Sequence, residues 1–322
     1  GRRTICPKDH AMSEVAATSA AGNNPLSQTQ RRQVWTLSIG AVVVFALFRW
    51  MPKGTDLSHG DFRLEGDNVL EFCDPAAPQF LPVTTARSPV EFEVSPSQMV
   101  QGEMTEFTFR LATSTGKPIA PVDLLVAHTR KLHLMIVDPS LTDYQHIHPT
   151  PGEIPGEWHV SFAPKYAGTY RVFADFMPAA TARGLYASVD IEVPGKPESL
   201  FHQPNLRHAE GEYRFELKMD DGRVRAREST DLTLLIRNEN GQDVQLGEIM
   251  GSFAHLVAFD EKRSGFAHLH PQETDLENRP DPQSPELHFN ITIPEPGLFV
   301  IWAQIVLNGE EVFIPFWFEV EP

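Results

Sequence analysis

Cysteine is scarce in this sequence, with only Cys6 and Cys73 among 322 residues. Two cysteines cannot form the framework of bridges that is typical of small disulfide-rich domains. A blue-copper site is also excluded, because it needs a cysteine thiolate and neither cysteine falls in the β-rich parts of the chain. The hydrophobic content of 41% is nevertheless enough to build apolar cores.

Positive charge and catalytic motifs are lacking as well. The net charge is −16, from 43 acids against 27 bases, which excludes nucleic-acid binding because such proteins need a basic face. The sequence contains no G-x-S-x-G, P-loop, Rossmann glycine pattern, H-E-x-x-H or C-x-x-C-H, the usual signatures of enzymes and cofactor sites. We therefore expect no enzymatic activity and no certain cofactor.

One apolar run stands out, VWTLSIGAVVVFALFRWM at residues 34–51, interrupted only by Arg49. Eighteen residues are just enough for a transmembrane helix. Trp35 and Trp50 stand at its ends, as interfacial aromatics do. The alternative is a cleaved signal peptide, which is disfavoured because the run is long and no A-x-A site follows.

Basic residues around this run predict its orientation. Five precede it, and two flank its far end: Arg2, Arg3, Lys8, Arg31 and Arg32, then Arg49 and Lys53. The positive-inside rule predicts a cytoplasmic tail over residues 1–33 and a periplasmic remainder, anchored in the lipid bilayer of a bacterial inner membrane. Cys6 and Cys73 then lie on opposite sides of the membrane and cannot pair.

The rest of the chain contains an internal duplication. DYQHIHP at 143–149 recurs as GFAHLHP at 265–271, and GTYRVFADF recurs as GLFVIWAQI. Asp175 of the former segment is the best isolated acid, but Gln304 replaces it in the latter. A paired-carboxylate mechanism is therefore not supported in both copies.

These patterns predict a mainly β protein with one transmembrane helix and two tandem sandwiches. Each copy contains short runs with period-two alternation separated by turns, which is typical of Greek-key sandwiches of the immunoglobulin or cupredoxin kind. The predicted segments are a membrane-proximal connection at 52–86, a first sandwich at 87–194, a linker at 195–207 and a second sandwich at 208–322.

HLMIVDPSLTDYQHIHP and GEWHVSFAPKYAGTYRVFADFMP resemble bacterial extracytoplasmic β-sandwich domains of the YtkA-like kind. The resemblance covers roughly residues 90–194, and more weakly 208–321. It implies a cupredoxin-like fold and an association with copper or heavy-metal handling. It implies no particular activity, because the group has no firm one.

Each copy supplies a candidate metal site. Residues i and i+2 of a strand share a face, and the turn folds that strand back toward an earlier histidine. Three imidazoles with one open position suit copper or zinc. The candidate ligands are His133, His146 and His148 in the first copy, and His255, His268 and His270 in the second. The alternative is that these histidines only form hydrogen bonds within the fold.

Other residues have supporting roles in this hypothesis. Asp138 and Asp260 would each orient an imidazole, and Met135 would add a soft ligand in the first copy only, since Val257 occupies its place in the second. His159 and His288 are predicted to face solvent. The loop and linker histidines receive no role: His10, His59, His128, His202 and His208.

Two functions follow from these features. The first is an accessory subunit that holds a respiratory or photosynthetic electron-transfer complex together through contacts with its other subunits. The final strand favours it, with more aromatic residues than one inward face needs: Phe313, Phe316, Trp317 and Phe318. A core strand at a sheet edge is the alternative interpretation. The second function is copper or zinc binding or delivery, and catalysis ranks last.

Overall fold

The computed structural model describes residues 27–50, 54–63, 79–95, 98–197 and 200–322. The chain divides into two compact units, Gly1–Lys53 and Gly54–Pro322. Cys6, Cys73, Lys53 and most of the predicted tail lie outside the described residues. The predicted fold class, an N-terminal apolar helix followed by antiparallel β-sandwiches, is confirmed.

The helix α1 spans Gln28–Trp50, so it begins before the apolar run. A capping box explains the earlier start. Gln30 N donates to Ser27 Oγ at 3.2 Å, and Ser27 N donates to Gln30 Oε1 at 3.0 Å. These bonds satisfy backbone donors at the helix start.

The four predicted anchor residues, Arg31, Arg32, Trp35 and Trp50, all lie on this helix. None of its side chains is buried, and the helix is long and apolar enough to cross a membrane. These properties are those of a membrane anchor.

The first sandwich consists of two antiparallel sheets. One has the order β1-β2-β7-β6, the other β3-β8-β4-β5, and β9 pairs with β8. The chain passes from one sheet to the other after β2, β5 and β7, a Greek-key arrangement. The strands are β1 (Val90–Val94), β2 (Thr105–Thr113), β3 (Leu124–Leu125), β4 (Leu132–Val137), β5 (Tyr144–Ile147), β6 (Thr150–Pro151), β7 (Glu157–Phe162), β8 (Gly168–Pro178) and β9 (Leu185–Val193).

The second sandwich repeats this plan, with sheets β10-β11-β13-β16 and β12-β18-β17-β14-β15. β4 and β5 correspond to β14 and β15, and β8 corresponds to β17. The strands are β10 (Arg207–Glu210), β11 (Tyr213–Met219), β12 (Val224–Arg225), β13 (Ser229–Asn238), β14 (Ala254–Asp260), β15 (Phe266–Leu269), β16 (Glu286–Thr292), β17 (Gly297–Leu307) and β18 (Glu310–Glu321).

The two sandwiches pack against each other through an apolar interface. All six residues of β4 are buried, because one of its faces lines the first core and the other faces the second sandwich. The interface is separate from both cores. Its buried residues are Leu81 and Val83 of the segment before β1, Met135, Val137, Leu141, Tyr144 and Phe173 of the first sandwich, and Val257, Phe259, Phe266, Val300, Trp302 and Trp317 of the second.

This interface explains the aromatic residues of β18. Phe316 and Phe318 lie in the core of the second sandwich. Trp317 belongs to the interface, and Phe313 packs on it. The prediction that these four side chains form a surface for another protein is wrong, because the first sandwich of the same chain covers the second face of the strand.

The segment predicted as a connection, residues 52–86, packs closely where it is described. Leu57 and Phe62 enter the first core, and Leu81 forms backbone hydrogen bonds with Phe266 at the edge of β15. A Cβ at Gly265 would lie only 1.6 Å from the Leu81 carbonyl oxygen. Only glycine therefore permits this approach.

Candidate metal centre

Seven histidines meet between the two sandwiches, at one end of the apolar interface. Six of them form two groups of three, and within each group one ring nitrogen of every histidine lies within 4.8 Å of those of the other two. The first histidine group is His133, His146 and His148, and the second histidine group is His128, His255 and His270. His268 lies between them, with ring centroids 5.5 Å from both His146 and His255.

Strand register places these side chains together. In the β4–β5 ladder Leu134 pairs with Ile147, so His133 comes opposite His148 and His146 shares their face. In the β14–β15 ladder Leu256 pairs with Leu269, so His255 comes opposite His270, and His268 shares their face. The sequence prediction of the first group agrees with this placement.

In the first histidine group, hydrogen bonds determine which nitrogens carry protons. His133 Nε2 lies 3.0 Å from the Ala127 carbonyl oxygen, which only accepts, so His133 donates there. Gln304 Nε2 donates to Glu311, which turns Gln304 Oε1 toward His146 Nδ1 at 2.8 Å. His146 therefore donates through Nδ1.

The remaining nitrogens of His133 and His146 are then both lone pairs when the rings are neutral. His133 Nδ1 and His146 Nε2 lie 3.2 Å apart, and His148 Nε2 lies 3.1 Å from His133 Nδ1. Two lone pairs cannot bond each other, but both can bind one cation. Ligands about 2.0–2.1 Å from a tetrahedral zinc ion stand about 3.3 Å apart, close to the observed spacing.

Burial keeps these rings uncharged, as metal ligation requires. Desolvation lowers the pKa of His133 and lowers that of His146 well below its usual range, with neighbouring His268 contributing to the latter. Burial lowers the pKa of His148 to about 4. His133 also donates to the Ala127 carbonyl and His146 to the Gln304 amide oxygen. Such acceptors usually orient histidines that bind a metal ion.

The histidines of the second sandwich have buried nitrogens without hydrogen-bond partners among the described residues. These atoms are both nitrogens of His255 and the Nε2 atoms of His268 and His270. Unpaired buried polar atoms are costly. Burial lowers the pKa of His255, His268 and His270, so protonation does not compensate.

His128 of the first sandwich joins His255 and His270 of the second. Its ring is stacked on His270 with centroids 3.8 Å apart. His128 lies on an exposed turn, and one of its ring nitrogens is within 4.8 Å of ring nitrogens of His255 and His270. An ion bound here would be held by both sandwiches.

Contacts across the interface are reciprocal, which indicates an approximate twofold axis between the two sandwiches. His146 contacts Gln304 of the second sandwich, while its counterpart His268 contacts Asp175 of the first, with 3.3 Å between His268 Nδ1 and Asp175 Oδ2. Asp175 and Gln304 are themselves counterparts, so the two contacts are reciprocal. Ring separations among the first copy's ligands, 5.3, 4.9 and 5.1 Å, become 5.5, 4.7 and 4.7 Å in the second.

A family model for a domain of unknown function, DUF8832, matches residues 85–194 and again residues 207–322. The chain belongs to the DUF8832 family. Each DUF8832 copy contains one set of the candidate ligands, and the cluster forms where the two copies meet. No curated protein matches the chain.

Solved structures give a weaker likeness. The Escherichia coli adhesin FdeC is 13% identical, with 73% of this chain and 64% of that chain covered and a TM-score of 0.22. A Corynebacterium diphtheriae protein described as membrane anchored is 8% identical, with coverages of 73% and 59% and a TM-score of 0.23. The chain spans less than two-thirds of either structure. TM-scores this low support no functional argument.

Asp138 and Asp260 lie in turns of the two DUF8832 copies and do not orient histidines. The Asp138 carboxylate accepts hydrogen bonds from Ser140, Thr142 and Asp143. Asp260 accepts one from Ser264 N at 2.6 Å. The predicted contact with an imidazole is wrong, because aspartate in a turn bonds the nearby backbone donors.

The other predicted side chains lie around the cluster or away from it. Met135 is buried in the apolar interface. His159 and His288 lie on β7 and β16, where their partners are Thr108 and Glu273. Both strands belong to the sheets that lie away from the interface.

Sequence reasoning missed His128 and left the relevance of Asp175 open. His128 occupies a turn with φ of 49°, outside any strand pattern. Its counterpart 122 positions later is Met250, so a search for duplicated histidines passes over it. Asp175 is half-buried beside His268. Its counterpart in the second copy is the amide Gln304, so a search for duplicated acids passes over it.

Proposed function

We propose that this chain is a membrane-anchored protein that binds copper or zinc in the histidine cluster between its two DUF8832 domains. One observation carries the proposal: the lone pairs of His133 Nδ1 and His146 Nε2 converge at 3.2 Å with no proton to share. A metal ion bound by both nitrogens would resolve this arrangement. His148 supplies a third nitrogen, leaving one position open for water or a further ligand.

The three histidines of the second sandwich support the same proposal independently. Both nitrogens of His255 and the Nε2 atoms of His268 and His270 are buried without hydrogen-bond partners among the described residues, and Asp175 supplies a negative charge beside His268. A carboxylate behind a ligating imidazole raises the basicity of that ligand. We therefore propose binding or delivery of metal ions, without a catalysed reaction.

The predicted membrane topology is part of this proposal. The apolar helix would hold the protein in a bacterial inner membrane, with the basic residues Arg31 and Arg32 on the cytoplasmic side. The DUF8832 domains would then lie in the periplasm. Exposed His128 and half-buried His148 give ions access to the cluster from solvent.

An accessory role in a respiratory or photosynthetic complex remains a second prediction. The membrane anchor is compatible with it. Its other support is weaker than the sequence indicated, because the aromatic residues of β18 are used inside the chain. Metal binding therefore explains more of the structure.

Titration of the full chain in detergent tests the proposal. The chain is stripped with a chelator, and bound Zn²⁺ or Cu²⁺ is counted by equilibrium dialysis. We expect one ion for each of the two histidine groups. The His133→Ala/His146→Ala variant should lose one of them, and the control His159→Ala/His288→Ala should lose none. Absence of binding, or equal loss in the control, would refute the proposal.

A further inference from the structure

The turn that carries His128 has a counterpart in the second sandwich. An isolated backbone bridge joins Ala127 to Arg130, and another joins Ile249 to Ser252. Within these turns His128 and Met250 both have φ of 49°. The two turns therefore have the same conformation, with Met250 in the place of His128.

The two turns also meet each other. A Cβ built on Gly251 would lie 3.7 Å from Cγ2 of Thr129, and these two residues are counterparts. Contact between counterparts places the turns at the approximate twofold axis. The reciprocal contacts of Asp175 and Gln304 place the axis between the same two sandwiches.

The symmetry has a consequence for the first histidine group. His128 reaches across the axis to His255 and His270, whose counterparts are His133 and His148. The same twofold rotation relates His128 to Met250, so Met250 should lie close to His133 and His148. We propose that Met250 supplies a thioether ligand to the first histidine group, which makes this a copper(I) site, while the second site is built from imidazoles alone.

The chemistry of the ligands supports different metals at the two sites. Thioether sulfur is a soft ligand that favours Cu(I), whereas imidazole also suits Zn²⁺ and Cu²⁺. Met250 is half-buried, so its sulfur is partly shielded from water. This inference rests on the proposed function, since it assigns a ligand to a site proposed above.

X-ray absorption at the copper edge tests the assignment. The full chain in detergent receives one equivalent of Cu(I) without oxygen. We expect sulfur among the copper ligands, and its loss in Met250→Leu. Competition with a Cu(I) chelator should show affinity at least about tenfold weaker in that variant, because losing a ligand costs no less than losing the group that orients one. Its Zn²⁺ affinity should be unchanged.

Two further variants complete the test. Met104→Leu replaces a methionine that is 70% exposed and should behave as wild type. Met250→His should keep the copper but replace sulfur with nitrogen in the spectrum. Copper bound through nitrogen alone in the wild type would overturn the role of Met250 and leave the proposed function intact. A chain that binds no metal would contradict both.

Discussion

Gln304 Oε1 of the second sandwich lies 2.8 Å from His146 Nδ1 of the first. This contact fixes the tautomer of His146 and directs its other nitrogen toward His133. Since Gln304 itself is held by Glu311, the orientation of the ligand is set before any ion arrives. The second sandwich thereby prepares a site whose histidine ligands belong to the first.

Replacing Gln304 with methionine should weaken metal binding by the first histidine group. The change removes the acceptor for His146 and leaves a similar volume. We expect metal affinity to fall about 10–100-fold, the usual effect of losing such a partner, measured by competition with a chelating dye. The control is Gln245→Met at an exposed position, and equal affinities for the two variants would contradict this role of Gln304.

Replacing Asp175 with asparagine should weaken metal binding by the histidines of the second sandwich. The amide still accepts a hydrogen bond from His268, but the negative charge that offsets a cation is lost. We expect about tenfold weaker binding of one ion per chain, measured by the same competition. Asp220→Asn, at an exposed turn, is the matched control. Unchanged affinity in Asp175→Asn would show that its charge has no part in binding.

The sequence predicts the first histidine group but not the second, in which His128 stands where His268 was expected. Period-two alternation and the shared spacing place His146 and His148 beside His133 within one sheet. The packing of one sandwich on the other depends on the apolar second faces of β4, β8 and β17, which a strand pattern does not assign to a partner. His128 joins the cluster only through that packing.

The misassigned residues have a common physical cause. Asp138 was expected to reach an imidazole, but its nearest unpaired donors were the amides of its own turn. Phe313 and Trp317 were expected to reach another protein, but the nearest apolar surface was the other sandwich. In both cases a closer partner within the chain was available.

We expect Asp138 to stabilise the folded state and to have no part in metal binding. Asp138→Ala leaves the buried donors of its turn unpaired, which should reduce the free energy of unfolding by about 2 kcal/mol. Asp260→Ala loses one bond to a backbone amide at a half-buried position and should cost less. Chemical denaturation measures both. Loss of metal at unchanged stability would restore the predicted role in orienting a ligand.

Removing metal should loosen the junction between the two sandwiches. Ions present at 100 times their dissociation constant stabilise the folded state by about 2.7 kcal/mol per site. For a unit of this size we expect the melting temperature to fall by roughly 5 °C or more when a chelator is added. The His133→Ala/His146→Ala variant should show a smaller change. An identical melting temperature with and without chelator would contradict metal binding to the folded state.

The most direct test is the metal content of the protein purified from native membranes without a histidine tag. Plasma mass spectrometry of wild type and of His146→Ala/His268→Ala compares the chain with and without one ligand from each sandwich. We expect one copper or zinc ion for each of the two histidine groups of the wild-type chain, and loss of these ions in the double variant. A metal-free wild type that stays metal-free when copper and zinc are supplied would contradict this expectation.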